Sequence, residues 1–319
     1  MGHEVLVEVL RSGLVEGAHH GSVVALSADG SVEWSKGDPE AVVLPRSCNK
    51  PLQAVAMVRL GLDLPPRLLA MACASHSGEP FHVAAVREIL ALAGLDESAL
   101  HNPLDWPLDS HFERELIAAG GERSRLHMNC SGKHAAMLLT CQVNGWPIDD
   151  YLDPAHPLQR AIGATFAELT GRPIGHEATD GCGAPLLGTS LVGLASAFAR
   201  LATAAPGTAE HRVAQAIREF PEYVSGTRRD EYAVLRAIPG AIAKAGAEAC
   251  HVLALADGSA FALKIADGGI RARPVVLAAA LERSGVLDRA DVDAAAVRAT
   301  GHKPLTGGGV VVGEVRAVP

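Results

Sequence analysis

The sequence predicts an α+β fold whose sheet is mostly antiparallel and draws its strands from both ends of the chain. Three observations predict it. Strand-type alternation opens the chain at Glu4-Val-Leu-Val-Glu-Val-Leu10. Helical periodicity then takes over from Pro51 to Glu219. Strand signals return after Pro239, separated by Asp-Gly turns. Two β blocks flanking a helical middle join most simply into one sheet, with terminal helices on it and a helical region beside it. The expected organisation is a single domain over residues 1–319 with two lobes: a β-rich lobe of about residues 1–46 and 240–319, and a helical lobe of about residues 47–239.

In chain order, Ser22–Leu26 and Ser31–Trp34 flank Ala28-Asp29-Gly30, and Asp-Gly between β-like runs predicts a hairpin. Gly13–Gly21, with the His19-His20 pair, reads as the connection between the first two strands; without a third ligand nearby, the pair reads as a polar turn or strand edge rather than a metal site. Leu52, Val55, Ala56 and Leu60 fit a helix, as does Arg67–Ala74. His82–Ala93 is amphipathic and Gly94 stands where a helix stop belongs. Asn102–His111 reads as an ordered loop and Phe112–Gly120 as a short helix. Further helices are expected at Gly132–Val143, Pro157–Thr170, Pro185–Leu201 and Ala209–Glu219. His251–Leu255, Ala260–Ile265 and Ile270–Arg273 predict a three-stranded meander, followed by a helix at Pro274–Arg283, a further one within Leu287–Val297, and a closing strand after Gly307.

Composition excludes several functions. With 319 residues, 48% hydrophobic and 20% charged, the chain can bury a sizeable core, and at 4% aromatic that core must be mainly Ala, Val and Leu. The formal charge of −8 and the lack of a basic run argue against nucleic acid as a partner. No apolar stretch is long enough for a membrane span. Met1–Val5 has neither the basic nor the apolar region of a signal peptide, and the six cysteines are widely spread, so reduced thiols and a cytoplasmic location are expected.

Five segments carry chemistry-bearing residues. Pro45-Arg46-Ser47-Cys48-Asn49-Lys50-Pro51 contains Ser-x-x-Lys, one helical turn apart, which lets a lysine amine accept a serine proton. The competing reading is a helix-capping serine and an exposed lysine, but the pair begins the first helix after a β block, as in penicillin-recognising serine enzymes. Cys73-Ala-Ser75-His76-Ser77-Gly78-Glu79-Pro80 presents hydroxyls, an imidazole and an acid at a helix end, or is simply a capped turn. His127-Met-Asn-Cys130-Ser-Gly-Lys133-His134 lacks the glycine spacing of a phosphate-binding loop. Thr179-Asp180-Gly-Cys182-Gly-Ala-Pro185 places a second thiol in a glycine-rich turn, and two such thiols suit a shared zinc ion or buried structural sites equally. Lys264, in Ala262-Leu-Lys-Ile265, is a lysine in an apolar strand that points either outward or into a cleft between the lobes, where the active site is expected.

Together these segments, in this order, resemble the Rhizobium etli-type L-asparaginases, and with the flanking strands the likeness covers nearly the whole chain. The resemblance implies a serine β-lactamase-like fold shared with glutaminases, a homodimer, and hydrolysis of L-asparagine to L-aspartate and ammonia. It implies two Ser-Lys pairs, Ser47 with Lys50 and Ser75 with Lys264, as the catalytic groups. It also implies one zinc ion per chain held by Cys130, Lys133 and Cys182, with Asp180 near the metal and the substrate ammonium, and Arg46 beside the nucleophile. Ser77 departs from the asparagine found in some relatives. A β-lactamase-like or esterase-like hydrolase is the alternative within serine chemistry, although no Lys-Thr-Gly stands in the late strands. A non-catalytic zinc protein would leave both serines and both partner lysines without a role.

Overall fold

The computed structural model describes residues 2–318. In chain order the elements are β1 (Glu4–Arg11), β2 (Leu14–Leu26), β3 (Val32–Lys36), α1 (Lys50–Arg59), α2 (Pro66–Ala72), α3 (Pro80–Leu92), α4 (Ser110–Ala118), α5 (Ser131–Asn144), α6 (Pro157–Thr170), β4 (His176–Thr179), β5 (Pro185–Gly188), α7 (Leu191–Ala202), α8 (Ala209–Glu219), α9 (Pro221–Val224), α10 (Asp230–Ala237), β6 (Ile242–Gly246), β7 (Cys250–Ala254), β8 (Ala260–Ile265), α11 (Ala272–Arg283), α12 (Ala294–Gly301), β9 (Lys303–Gly307) and β10 (Val310–Ala317). The fold is α+β. The chain divides into two compact units.

One unit comprises residues 1–48, 189–203 and 233–319. Its sheet runs β6-β7-β8-β2-β1-β10-β9, with β3 also paired to β2, and each of these pairings is antiparallel. The N-terminal strands β1 and β2 therefore lie between two blocks of C-terminal strands in one sheet, joined as the β signals at both ends predict. The strands β6, β7 and β8 are almost wholly buried, and their Ala-, Val- and Leu-rich sequences lack strict alternation for that reason.

The other unit comprises residues 49–188 and 204–232 and is mainly helical. Its helix ends follow local chemistry. Pro157 opens α6 behind a His156 side chain that accepts from Leu158 N, and Gly171 closes it in the left-handed conformation. Thr208 caps α8 by accepting from His211 N. Among the described residues no helix is long and apolar enough to cross a membrane, and no disulfide joins the six cysteines, all of which are buried.

Besides α9 and α10, which the sequence reading did not place, and α12, which lies later than expected, four regions differ from that reading. Gly13–Gly21 is not a connection: β2 starts at Leu14 and pairs with β1 almost to its end, accommodated by two register shifts that blur the alternation. Pro185–Leu201 is not one helix, because Ser190 caps α7 by accepting from Gly193 N, while Pro185–Gly188 pairs with β4 as a two-stranded ribbon. Ile270–Arg273 is not a strand; the chain turns there into α11, and the third strand of the meander is supplied upstream by β6. The closing strand is a hairpin, β9 and β10, turning at Gly308-Gly309 with both glycines at positive φ.

Candidate active site

The Ser47 turn lies in the sheet-bearing unit. Arg46–Asn49 forms a 3-10 turn that runs directly into α1, with Pro51 in its first turn where the missing N–H costs nothing. Cys48 N donates to Pro45 O at 3.1 Å and Cys48 Sγ to Lys244 O at 3.1 Å, fixing the turn on β6. Gly246 of β6 permits this approach, since a Cβ there would lie 2.5 Å from Pro45 O. Arg46 adopts φ 54°, in the left-handed region that L-residues with long side chains avoid. Ser47 is buried at 8% exposure. Strain directly before a buried serine is a feature of functional turns.

In the same unit, Lys264 on β8 is half-buried, and its Nζ donates to the carbonyls of Glu248 (2.6 Å) and Ile265. Burial lowers its pKa, opposed by Cys250, Glu248 and Asp267, with Arg46 adding to the lowering. His19 lies on β2, where its Nδ1 meets Asp267 Oδ2 at 2.7 Å and its Nε2 accepts from Arg271 Nε at 2.9 Å, so this ring links Asp267 and Arg271 at a strand.

In the helical unit, Lys50 is almost fully enclosed, and its Nζ donates to Ala74 O and to Ser75 Oγ, the latter at 3.0 Å. Ser75 follows α2, and its backbone is pinned by Val224 O, which accepts from Ser75 N at 3.0 Å, and by Arg229 Nη1, which donates to Ser75 O at 3.4 Å. Behind it, Glu79 receives Thr227 N at 2.7 Å and Thr227 Oγ1 at 2.9 Å, locking the 224–229 segment in place. His76 is buried between Gly78 N, which donates to its Nδ1 at 3.1 Å, and Ser131 Oγ, 2.8 Å from its Nε2.

Cys130, Lys133 and Cys182 also come together in this unit. Cys182 sits in the turn of the β4–β5 ribbon, closed by Asp180 N donating to Ala184 O at 2.9 Å and Gly183 N donating to Asp180 O at 2.8 Å. Cys130 and Lys133 stand at the start of α5, where Gly132 lets the helix approach Met71: a Cβ there would lie 2.5 Å from Met71 O. Lys133 Nζ donates to Cys182 Sγ at 3.1 Å. The Cys130 thiol donating to Cys182 holds the Cys182 pKa far below the ordinary thiol value and raises that of Cys130 well above it. Burial works against charge on Lys133, but the Cys182 and Cys130 sulfurs outweigh it and raise its pKa. Asp180 Oδ2 lies 3.9 Å from Cys182 Sγ.

Among the described residues no group of three His, Cys, Asp or Glu side chains is arranged to hold a metal. The donor set nevertheless fits zinc when the lysine amine is included, because two soft sulfurs and a nitrogen converge in one buried pocket. His134 supports the fit. Its Nδ1 lies 2.7 Å from Tyr151 Oη, its side-chain hydrogen bond with Cys182 favours the thiolate, and burial beside Lys133 lowers its pKa to about 4 against that bond.

The expected residues thus fall into three groups: Lys50 with Ser75; Cys130, Lys133 and Cys182 with Asp180; and, in the sheet-bearing unit, Ser47, Arg46 and Lys264. The sequence reading gave no role to Thr227, Arg229 and Tyr151, and took Glu79 only as an acid at a helix end. Glu79 and His134 stand inside the chemistry-bearing segments, but Tyr151 and the 224–229 segment carry no local signal.

A search of curated proteins returns no match. Among solved structures, the chain is similar to a β-lactamase from Mycobacterium bovis at 16% identity and TM-score 0.47, over 82% of this chain and 94% of that one. It is also similar to EstCE1, a hydrolase with promiscuous acyltransferase activity, at 13% identity and TM-score 0.41, over 81% and 92% of the two chains. A third similar structure is Mglu in its native form, at 14% identity and TM-score 0.37, over 83% and 63%. At TM-scores under 0.5 these likenesses carry no argument. The family model for L-asparaginase II matches residues 7–317, and with the match spanning nearly every residue described above, the chain belongs to the L-asparaginase II family.

Proposed function

We propose that the protein is an L-asparaginase that hydrolyses the side-chain amide of L-asparagine through an ester on Ser47. The observation that carries the proposal is the enclosed Lys50 amine, 3.0 Å from Ser75 Oγ at the start of the helix that follows the Ser47 turn, in a chain of the L-asparaginase II family. Ser47 Oγ attacks the amide carbon, and its proton passes to Lys50 directly or through the Ser75 hydroxyl. The Ser47 backbone N–H is a candidate donor to the oxyanion, while the Cys48 N–H is held by Pro45 O. The C–N bond breaks, and the nitrogen leaves as ammonia with a proton from the lysine–serine network. Water then attacks the ester carbon, gives its proton to the same network, and Ser47 leaves as the free hydroxyl with L-aspartate released.

Lys264 is the second lysine, paired in function with Ser75, and burial lowers its pKa, which eases proton exchange. Arg46 and Asp180 bind the α-carboxylate and α-ammonium ends of the substrate. Cys130, Lys133 and Cys182 would hold one zinc ion per chain, with Lys133 giving up its proton to do so. Bound there, zinc supplies a Lewis-acidic centre that orders the loops around the amino-acid end of the substrate.

The test is ammonia release from asparagine and from glutamine, paired with mass spectrometry of protein quenched during turnover. The expected result is release from asparagine and a β-aspartyl adduct on the Ser47 peptide, both lost in Ser47→Ala. Wild-type release by Ser47→Ala overturns the assignment of the nucleophile, and release from neither amide overturns the activity.

A further inference from the structure

A cavity of about 450 Å³ lies within the sheet-bearing unit, between the sheet and α11. Its size falls in the range of small-ligand sites, roughly 300–1,000 Å³. Leu6 of β1, Val23 of β2 and Val276 of α11 give it an apolar floor, and Trp34 of β3 and Arg283 of α11 stand in its wall. The indole is fixed: Trp34 Nε1 donates to Ser284 Oγ at 2.8 Å, and that hydroxyl donates in turn to Glu33 Oε2 at 3.2 Å. The Arg283 guanidinium lies over the indole face, 4.4 Å from the ring centroid. Among the described residues no hydrogen bond or ion pair occupies its N–H groups. By contrast, Lys36, also in the lining, donates to Val318 O at 3.1 Å.

An apolar chamber with one oriented, uncommitted guanidinium at its wall recognises a particular chemistry. The apolar floor takes an aliphatic chain. The planar fork of the guanidinium, placed over the indole, takes a carboxylate by two parallel N–H donations. An alcohol of the same length gains the apolar burial alone, and an amine of that length meets a like charge. We propose that this cavity binds a medium-chain aliphatic carboxylate, with its tail on Leu6, Val23 and Val276 and its carboxylate on Arg283. None of these residues belongs to the proposed asparagine site.

Titration calorimetry of the full chain with decanoate, decanol and decylamine, each below its aggregation threshold, tests this. The expected result is one saturable decanoate site per chain, about tenfold tighter than decanol, with decylamine weaker than both. Arg283→Gln removes the preference for decanoate and leaves decanol unchanged; Ala280→Phe, which fills the chamber, abolishes binding of both. Absence of saturable decanoate binding overturns the site. Equal binding of decanoate and decanol, or an Arg283→Gln variant that keeps the preference, overturns the role of the guanidinium. Arg283 is exposed, so its variant is expected to fold even where Ala280→Phe does not.

Discussion

Lys50 and Lys133 are the same residue type in the same helical unit, each near the start of a helix and each 1% exposed. Their partners differ. Lys50 faces neutral oxygens, the Ala74 carbonyl and the Ser75 hydroxyl. Lys133 faces Cys182, a sulfur held as thiolate by the Cys130 thiol. A buried amine opposite an anion is pinned as a cation, because separating the pair leaves two uncompensated charges out of water. A buried amine opposite a hydroxyl is placed for proton exchange with it. Burial alone therefore assigns no role to a lysine; the partner atom does. Under the proposed mechanism that contrast suits Lys50 to the role of base, whereas Lys133 is pinned beside the thiols and would bind the proposed zinc only on giving up its proton.

The largest expected effects break this contrast or confirm it. Lys50→Met should lower turnover roughly a thousandfold, the loss expected when a general base is removed, with bound zinc retained. Lys133→Met should do the reverse in kind: zinc affinity falls by at least about tenfold, while the Ser47 ester still forms at high asparagine. Ammonia release and metal content on the two purified variants separate the roles. If both variants lose zinc and turnover together, the two lysines act as one cluster and the contrast fails.

How far this contrast is legible in the sequence depends on the range of each interaction. The thiol–lysine cluster lies in two short segments whose Cys, Lys and Gly content is conspicuous, so its members stand out from sequence alone. The partner of Lys50 does not, since Ser75 is 25 residues away and no spacing rule reaches that far. The same division holds for the fold. Pro157 and Gly171 bracket α6 with local backbone chemistry, and the predicted ends match the observed ones. The strands β4 and β5 are four residues each and exist through pairing with one another, so periodicity misses them and reads Pro185 into α7. Cys182 sits on the turn of that ribbon, which is why its surroundings are the least readable part of the site.

The rigidity of the Ser75 segment yields two smaller effects. His82 Nδ1 accepts from Glu79 N at 3.1 Å and its Nε2 donates to Glu222 O at 2.9 Å, so the folded chain needs it neutral. Burial lowers its pKa from 6.5 to about 4. The unfolded chain binds the proton first, so the stabilisation is fully present above about pH 6.5 and is lost as pH falls towards about 4. That shift corresponds to about 3 kcal/mol. Urea unfolding of wild type and His82→Gln across this window should show a steeper loss in wild type; parallel curves would remove His82 from the account. Glu79→Gln, which weakens the hold on Thr227, should cost about 2 kcal/mol and raise the KM for asparagine. An unchanged midpoint in urea would show that the 224–229 segment is held by other contacts.

The smallest effect concerns the lead-in to the nucleophile, where the sheet-bearing unit holds Arg46 at φ 54°. A non-glycine residue in this region costs roughly 1–2 kcal/mol relative to its preferred conformations. Glycine carries no such cost there, but it gains entropy in the unfolded chain, which offsets part of the relief. Arg46→Gly should therefore be more stable than Arg46→Ala, by less than about 1 kcal/mol, while lowering kcat/KM for asparagine, because the guanidinium is lost from the substrate site. Arg46→Ala separates the two contributions: it loses the same guanidinium but keeps the strained φ, so its activity should match that of the glycine variant while its stability does not rise. Equal stability of the two variants would mean that the turn relaxes without strain, and the left-handed backbone before Ser47 would then carry no stored energy for the site to use.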